Sequence, residues 1–167
     1  MGLQWNDSWK LDLPEMDDTH EEFVRMLGTA SDAPDVQLLA LWQDLLAHTE
    51  DHFGREDRWM AQTRFSSSNC HSLQHKVVLQ VMREGLEQGQ QGQLTQLRQM
   101  VHELGAWFAQ HAQSMDAALA LHLRRVGYEP QSGQVLMPEA LPLQAIEGCG
   151  SHACSGDHPA PVEAEAT

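Results

Sequence analysis

A long stretch without proline constrains the fold of this chain more than any other feature. No proline occurs from Asp35 through Glu129, whereas five of the seven prolines lie at or beyond position 130. Proline interrupts helices because it lacks a backbone N–H and its ring clashes with the preceding turn. Apolar residues recur through this stretch at intervals of three and four, as in amphipathic helices. We therefore expect an all-α fold.

Short polar breaks divide the chain into four helical segments. The helices are predicted over residues 17–30, 35–63, 69–88 and 94–125. The breaks between them read SDAP, RFSSSNC and EQGQQGQ, and they are rich in residues that cap or end helices. Four amphipathic helices with short connections fit an antiparallel up-down-up-down four-helix bundle.

The two ends of the chain differ from the helical middle. An N-terminal arm carries Trp5 and Trp9, and we expect it to pack across the bundle because it is too short to form a domain. From Gly127 onward the chain has five glycines, five prolines, six acids and no lysine or arginine. We therefore predict a bundle over residues 1–126 and an irregular acidic tail over residues 127–167.

The tail contains one chemically distinct cluster. Cys149, His152, Cys154 and His158 could form a secondary metal site or a redox-sensitive pair, although their spacing is looser than that of a structural zinc site. A tail without any ligand role is the alternative. Cys70 reads as a helix-start residue, and three cysteines do not indicate a disulfide framework.

Charge and hydropathy exclude several classes of protein. The chain has 24 acidic and 10 basic residues and a net charge of −14, which disfavours nucleic acids and anionic membranes as partners. No apolar run is long enough for membrane insertion, and the first residues do not resemble a secretory signal. We expect a cytoplasmic protein.

Residue types that bind metals lie on the apolar face of every predicted helix. They are His20, His52, Glu56, His71, His75, His111 and Asp116. Burying such groups is costly unless they are paired or bound to metal, so we predict a metal site in the bundle core. The alternative is a metal-free bundle. His48 lies one turn before His52 and reads as a surface or supporting residue, and His102 and His122 as ordinary helix residues.

The composition of this set favours two octahedral ions. Five imidazoles, two bridging carboxylates and one bridging oxo or hydroxo group would fill all but one of their positions, which leaves room for a small ligand. Iron is the first choice for such ligands, with manganese or zinc possible. One spacing is unusual, because His111 and Asp116 are five residues apart. Either the helix widens locally or one side chain reaches sideways.

Four motifs in this order resemble those of bacterial single-domain hemerythrins. They are MDDTHEEF, HFGRED, HSLQH and HAQSMD, and the resemblance spans residues 3–125. It implies that His71, His75 and His111 hold one iron, that His20 and His52 hold the other, and that Glu56 and Asp116 bridge the two. It also implies reversible binding of dioxygen at the di-iron pair.

Apolar side chains around such a site would exclude water and protons. Our candidates for this wall are Phe23, Phe53, Trp107 and Met115, which could equally be ordinary core residues. The leading hypothesis is a non-enzymatic protein for oxygen carriage, storage or delivery, for instance to an oxygen-consuming enzyme. The alternatives are a di-iron enzyme that handles peroxide or nitric oxide, with peroxidase-like side activity included, and an iron storage or transfer protein.

Overall fold

The computed structural model describes residues 4–65 and 70–146, and it confirms the four-helix bundle. The helices are α1 (Pro14–Asp32), α2 (Asp35–Gln62), α3 (Cys70–Gln90), α4 (Leu94–His111) and α5 (Ala117–Arg125). A π-helical segment, Ala112–Asp116, joins α4 to α5, so that together they form the fourth rod of the bundle. None of the helices in the described residues is long and apolar enough to cross a membrane.

The helices form a closed ring in chain order. Helix α1 contacts α2, α2 contacts α3, α3 contacts α4, and α4 returns to contact α1. This is the neighbour pattern of an up-down-up-down bundle, in which short connections make successive helices antiparallel.

Local sequence explains where the helices begin and end. Helix α1 begins three residues earlier than predicted because Pro14 occupies its first position, where a missing N–H costs nothing. Pro34 follows its end and keeps Ala33 extended. Helix α3 continues two residues further than predicted, to Gln90. The chain then turns at Gly92, whose φ of 84° suits glycine.

The apolar core consists of two clusters. The cluster that we call upper lies at the end of the bundle where α2 and α4 begin. It includes Phe23, Trp42, Met82 and Phe108, with Trp5 and Trp9 of the arm packed against it as predicted. The lower cluster surrounds the other end of the bundle, and its members include Met16, Trp59, Phe65, Leu119 and Tyr128. On each of α1, α2 and the fourth rod, the polar residues singled out from the sequence lie between the segments that supply these two clusters.

The described part of the predicted tail packs against the lower cluster. Strand β1 (Tyr128–Glu129) pairs antiparallel with β2 (Gln134–Val135), and the Tyr128 side chain is buried. Residues 127–146 therefore extend the lower end of the bundle. The cluster of Cys149, His152, Cys154 and His158 lies outside the described residues. Cys70 begins α3 as predicted and is disulfide-bonded, which the odd cysteine count had not indicated.

Candidate metal centre

Seven buried polar side chains meet between the two apolar clusters. Each of the seven residues is at most 2% exposed, and all seven were predicted from their position on apolar helix faces. They are His20 from α1, His52 and Glu56 from α2, His71 and His75 from α3, and His111 and Asp116 from the fourth rod.

The carboxylate of Glu56 faces imidazoles on both sides. Its Oε1 atom lies 3.0 Å from Nε2 of His52 and 4.0 Å from Nε2 of His20. Its Oε2 atom lies 3.2 Å from Nε2 of His75 and 3.5 Å from Nε2 of His71. One oxygen therefore serves a pair on α1 and α2, and the other serves a pair on α3.

The carboxylate of Asp116 repeats this arrangement. Its Oδ2 atom lies 3.2 Å from Nε2 of His20. Its Oδ1 atom lies 3.0 Å from Nε2 of His71 and 3.1 Å from Nε2 of His111. Both carboxylates thus divide their oxygens between a two-histidine set and a three-histidine set. In each set, one ligand atom from every residue lies within 4.8 Å of the others.

The buried atoms of the site lack partners that would satisfy them. Within the described part of the chain, Nε2 of His20, His71, His75 and His111 has no hydrogen-bond partner, and neither does any oxygen of Asp116. The contacts near 3 Å therefore bring these atoms close without hydrogen-bond geometry. Buried polar atoms are normally paired, and one cation in each ligand set would satisfy these atoms. The residues fit two metal ions bridged by two carboxylates.

The π-helical segment explains how residues five apart reach the same site. The Ala117 N–H donates to the Ala112 carbonyl, an i to i−5 bond that widens the turn by one residue. The side-chain hydroxyl of Ser114 donates to the Gln110 carbonyl at 2.7 Å. Of the two explanations that the sequence left open, the structure shows local widening of the helix.

Two of the imidazoles have a hydrogen-bond partner at Nδ1, the ring nitrogen opposite the one that faces the carboxylates. His75 Nδ1 lies 3.0 Å from Oδ1 of Asp57, and His111 Nδ1 lies 3.3 Å from Oε1 of Gln74. When Nδ1 carries the proton and donates it to these acceptors, Nε2 presents its lone pair to the site. Asp57 and Gln74 were not among the residues predicted from the sequence. The sequence marks them in one way: Asp57 directly follows Glu56, and Gln74 directly precedes His75.

Aromatic rings cover the site from the upper side. Phe53 stacks on His75 with a centroid distance of 3.9 Å, and Trp107 stacks on His111 at 4.4 Å. The edge of Phe108 contacts His20 at 5.2 Å. Phe108 was missed as a wall residue, although its spacing of three from His111 places both on one face.

The other two wall candidates lie differently. Phe23 does not stack on a candidate ligand: it stacks on Phe108 at 4.5 Å and so supports the wall from behind. Met115 is buried within the π-helical segment. Both are buried core residues, which was the alternative that the sequence allowed for the wall candidates.

The remaining described histidines lie outside both ligand sets. His48 contacts Glu22 at 3.3 Å, and its side chain is 15% exposed, so it is a near-surface neighbour of His52. His102 is exposed on α4. His122 is buried, and its Nε2 donates to the Thr63 carbonyl at 2.9 Å.

Electrostatics keep the carboxylates of the site ionised. Burial and the neighbouring carboxylate oppose ionisation of Glu56, but the surrounding imidazoles outweigh them and hold its pKa well below its usual range. Asp116 behaves likewise, with His111 as the largest favourable influence on its pKa. Burial favours neutral His71, yet its contacts with both carboxylates raise its pKa to about 10. A cation that enters the site therefore displaces protons from imidazoles.

Comparison with known protein families matches the part of the chain that contains this site. Residues 12–121 match the family described as the hemerythrin HHE cation binding domain. The chain belongs to the hemerythrin family. The matched region contains all seven candidate ligands.

Two relatives carry hemerythrin names. The chain is 32% identical to a bacteriohemerythrin from Ralstonia nicotianae over 125 residues, which are 75% of this chain and 91% of the relative. It is 33% identical to a myohemerythrin from Riftia pachyptila over 72 residues, or 42% of this chain and 58% of that one. No solved structure matches. Membership of the hemerythrin family therefore rests on the sequence match.

Proposed function

We propose that this chain binds dioxygen reversibly at a non-heme di-iron centre and serves in oxygen carriage, storage or delivery. The observation that carries the proposal is the division of the two carboxylates. Glu56 and Asp116 each offer one oxygen to a two-histidine set and the other to a three-histidine set. Two ions of the same element would thus have different numbers of histidine ligands. The ion with fewer protein ligands would keep one coordination position for a small molecule.

The donor set supports iron. Imidazole nitrogens suit Fe, Zn and Cu, and bridging carboxylates suit metals with octahedral geometry. His71, His75 and His111 would hold one ion and His20 and His52 the other. When bound, two ferrous ions supply the electrons for reversible binding of dioxygen. The mostly neutral ligand shell favours the ferrous state more than a carboxylate-rich shell would.

The protein's own part is to orient the ligands and to exclude water. Asp57 and Gln74 fix two of the imidazole rings of the three-histidine set. Phe53 and Phe108 border the two-histidine set, at 5.3 Å from His52 and 5.2 Å from His20. Rings at these distances leave little room for water. Exclusion of water limits the supply of protons, which would otherwise release the reduced dioxygen as hydrogen peroxide and leave the ions ferric.

The deciding experiment loads the metal-free protein with ferrous iron under anaerobic conditions. Metal analysis then gives the iron content, and visible spectra are recorded through cycles of oxygen and argon. We expect two irons per chain and a colour that forms under oxygen and disappears under argon. Colour that decays to a stable ferric form, with peroxide or nitric oxide turned over steadily, would replace the proposal with an enzymatic one.

Two variants separate the di-iron site from a metal-free bundle. In His75→Ala and Glu56→Gln we expect lower iron content and lower thermal stability, because metal binding and folding are coupled. Glu50→Gln is the matched control: Glu50 lies on the same helix, but its carboxylate faces outward and pairs with Arg83 at 2.7 Å. If His75→Ala leaves both quantities unchanged, the metal-free interpretation is correct.

A storage or transfer role predicts a different stoichiometry. It requires more than two metal ions per chain, with the excess lost when residues 127–167 are deleted. The same metal analysis measures this directly on the full chain and on the truncated one. A ratio of two that survives truncation supports the oxygen-binding proposal.

A further inference from the structure

Helix α3 carries an apolar ridge on its outer face. Leu73, Val77 and Val81 follow one another at intervals of four residues, so they lie in a row along the helix. Their exposed fractions are 60%, 53% and 45%. Single exposed apolar residues are common, but a row of three large ones indicates a surface that is covered in the working form of a protein.

A groove runs beside this ridge, between α3 and α4. It has a volume of about 180 Å³, and its lining includes Val78, Val81, Met100, Leu104 and Trp107. The lining is almost entirely apolar, with Glu103 as its charged member. Ridge and groove together form one apolar face, which we call the α3–α4 face.

The charge of the chain is distributed away from this face. Helix α1 has six acids against one arginine, and α2 has six acids against two arginines. Helix α3 has two basic residues, Lys76 and Arg83, and two acidic ones, Glu84 and Glu87. Helix α4 has one residue of each sign. The α3–α4 face is therefore electrically balanced in a chain whose net charge is −14.

We propose that the α3–α4 face binds a second copy of this chain and forms a two-fold symmetric dimer. A symmetric interface requires a surface that complements itself, and a ridge beside a groove meets this requirement. The two-fold operation places the ridge of each copy over the groove of the other, in the manner of packed helices. This face allows two acidic chains to approach without strong repulsion, whereas contact through α1 or α2 would oppose like charges.

The balanced charge also argues against other occupants. A strongly basic or acidic partner gains no electrostatic attraction from α3 and α4, and it would find a stronger field on α1 and α2. The apolar ridge carries no charged side chain of its own and suits helix-to-helix contact between two copies of the chain.

The test measures the mass of the metal-loaded full chain by light scattering and sedimentation over a range of concentrations. We expect a dimer in the wild type. Val77→Glu and Val77→Lys should each raise the dimer dissociation constant, on the order of a hundredfold, because a charge of either sign would be buried. Val36→Glu is the control, since Val36 is 87% exposed on α2 and belongs to neither the ridge nor the lining of the groove.

Each outcome decides the proposal. Dimers that dissociate in both Val77 variants and persist in Val36→Glu support it. A wild type that stays monomeric at the highest concentration reached overturns it, and so does a dimer that both Val77 variants leave intact. Loss of the dimer in Val77→Glu and Val36→Glu, with retention in Val77→Lys, would indicate a purely electrostatic effect and would also overturn it. Iron content and circular dichroism confirm that each variant is folded.

Discussion

Asp57 holds the ring of His75 from behind, with its Oδ1 atom 3.0 Å from the imidazole Nδ1. The other ring nitrogen of His75 faces Oε2 of Glu56 at 3.2 Å. The imidazole therefore links an outer carboxylate to an inner one. This arrangement fixes both the tautomer and the angle of the ring that meets the metal position.

We predict that Asp57→Ala weakens metal binding about 10- to 100-fold, as is typical for residues that support a metal ligand. Asp57→Asn should recover part of the loss because its amide oxygen still accepts the hydrogen bond. Competition with a metal chelator measures the affinity. Asp44→Ala is the control, because Asp44 is an exposed acid on the same helix and outside both ligand sets. Equal affinities in the Asp57 and Asp44 variants would rule out this supporting role.

The extra residue in the fourth rod leads to a second prediction. The two candidate ligands of this rod, His111 and Asp116, lie five residues apart, whereas the core residues before and after them follow at intervals of three and four. Removing exposed Gln113 would shorten that interval to four and leave the later core residues in phase. We therefore expect the deletion to give a regular α-helix that still binds two metals. Metal analysis and thermal melting test this.

The substitution Gln113→Ala serves as a reference for the deletion, since it changes the side chain without changing the helical register. Unfolding, or loss of metal in the deletion alone, would show that the widened turn itself is needed to place Asp116.

His122 gives a prediction about stability and pH. Burial, aided by nearby Arg125, lowers the pKa of this imidazole despite its hydrogen bond to the Thr63 carbonyl. The unfolded chain then binds a proton at His122 more readily than the folded chain does. The stability that depends on neutral His122 is complete above the unfolded pKa of about 6.5 and is lost as the pH falls below it.

The measurement compares urea unfolding of the wild type and His122→Gln at several pH values, with both proteins in the same metal state. Relative to the variant, the wild type should become less stable between about pH 7 and about pH 5. A constant difference across this range would show that His122 does not titrate differently in the two states.

Two helical glycines should respond oppositely to alanine. A Cβ atom at Gly54 would meet only Arg58 Nη1 at 3.6 Å, so Gly54→Ala should stabilise α2 by about 0.5–1 kcal/mol through helix propensity. At Gly89 the added atom would lie 2.8 Å from Cδ1 of Leu39 and 3.0 Å from Cδ2 of Leu97. Overpacking of about 1–3 kcal/mol then outweighs the propensity gain.

Thermal melting of the two glycine variants in parallel provides the check. A rise in melting temperature for Gly89→Ala would mean that the leucines move aside without cost.

The fold was predictable because proline placement and apolar spacing are local properties of the chain. The boundaries of α2 were predicted within one residue, since Pro34 fixes its start. The prediction for the fourth rod joined three elements into one, because spacing alone does not separate a widened turn from a side chain that reaches sideways. The packing of residues 127–146 on the lower cluster was missed, since composition reports on polarity and not on where a strand docks.

The site was predictable to the extent that its residues break an apolar pattern. His20, with no exposed surface, stands out because buried helix faces rarely carry imidazoles. Asp57 and Phe108 break no pattern: an acid on a half-exposed helix position and a phenylalanine in a core are both ordinary. Their roles come from contacts with His75 and His20 across the bundle, and those contacts depend on the packing of helices far apart in sequence.

Under the proposed function, the polar layer between the two apolar clusters would make the stability of the chain depend on metal supply. Without ions, the middle of the bundle contains a layer of charged and polar side chains instead of an apolar core. Local unfolding at this layer then costs less free energy than it does elsewhere in the bundle. Local unfolding of this kind exposes the backbone to proteases. Bound metal ions would link ligands on all four rods and so stabilise the folded state. Newly made chains that find no metal would thus be cleared first, and the amount of protein in a cell would follow the metal available to it.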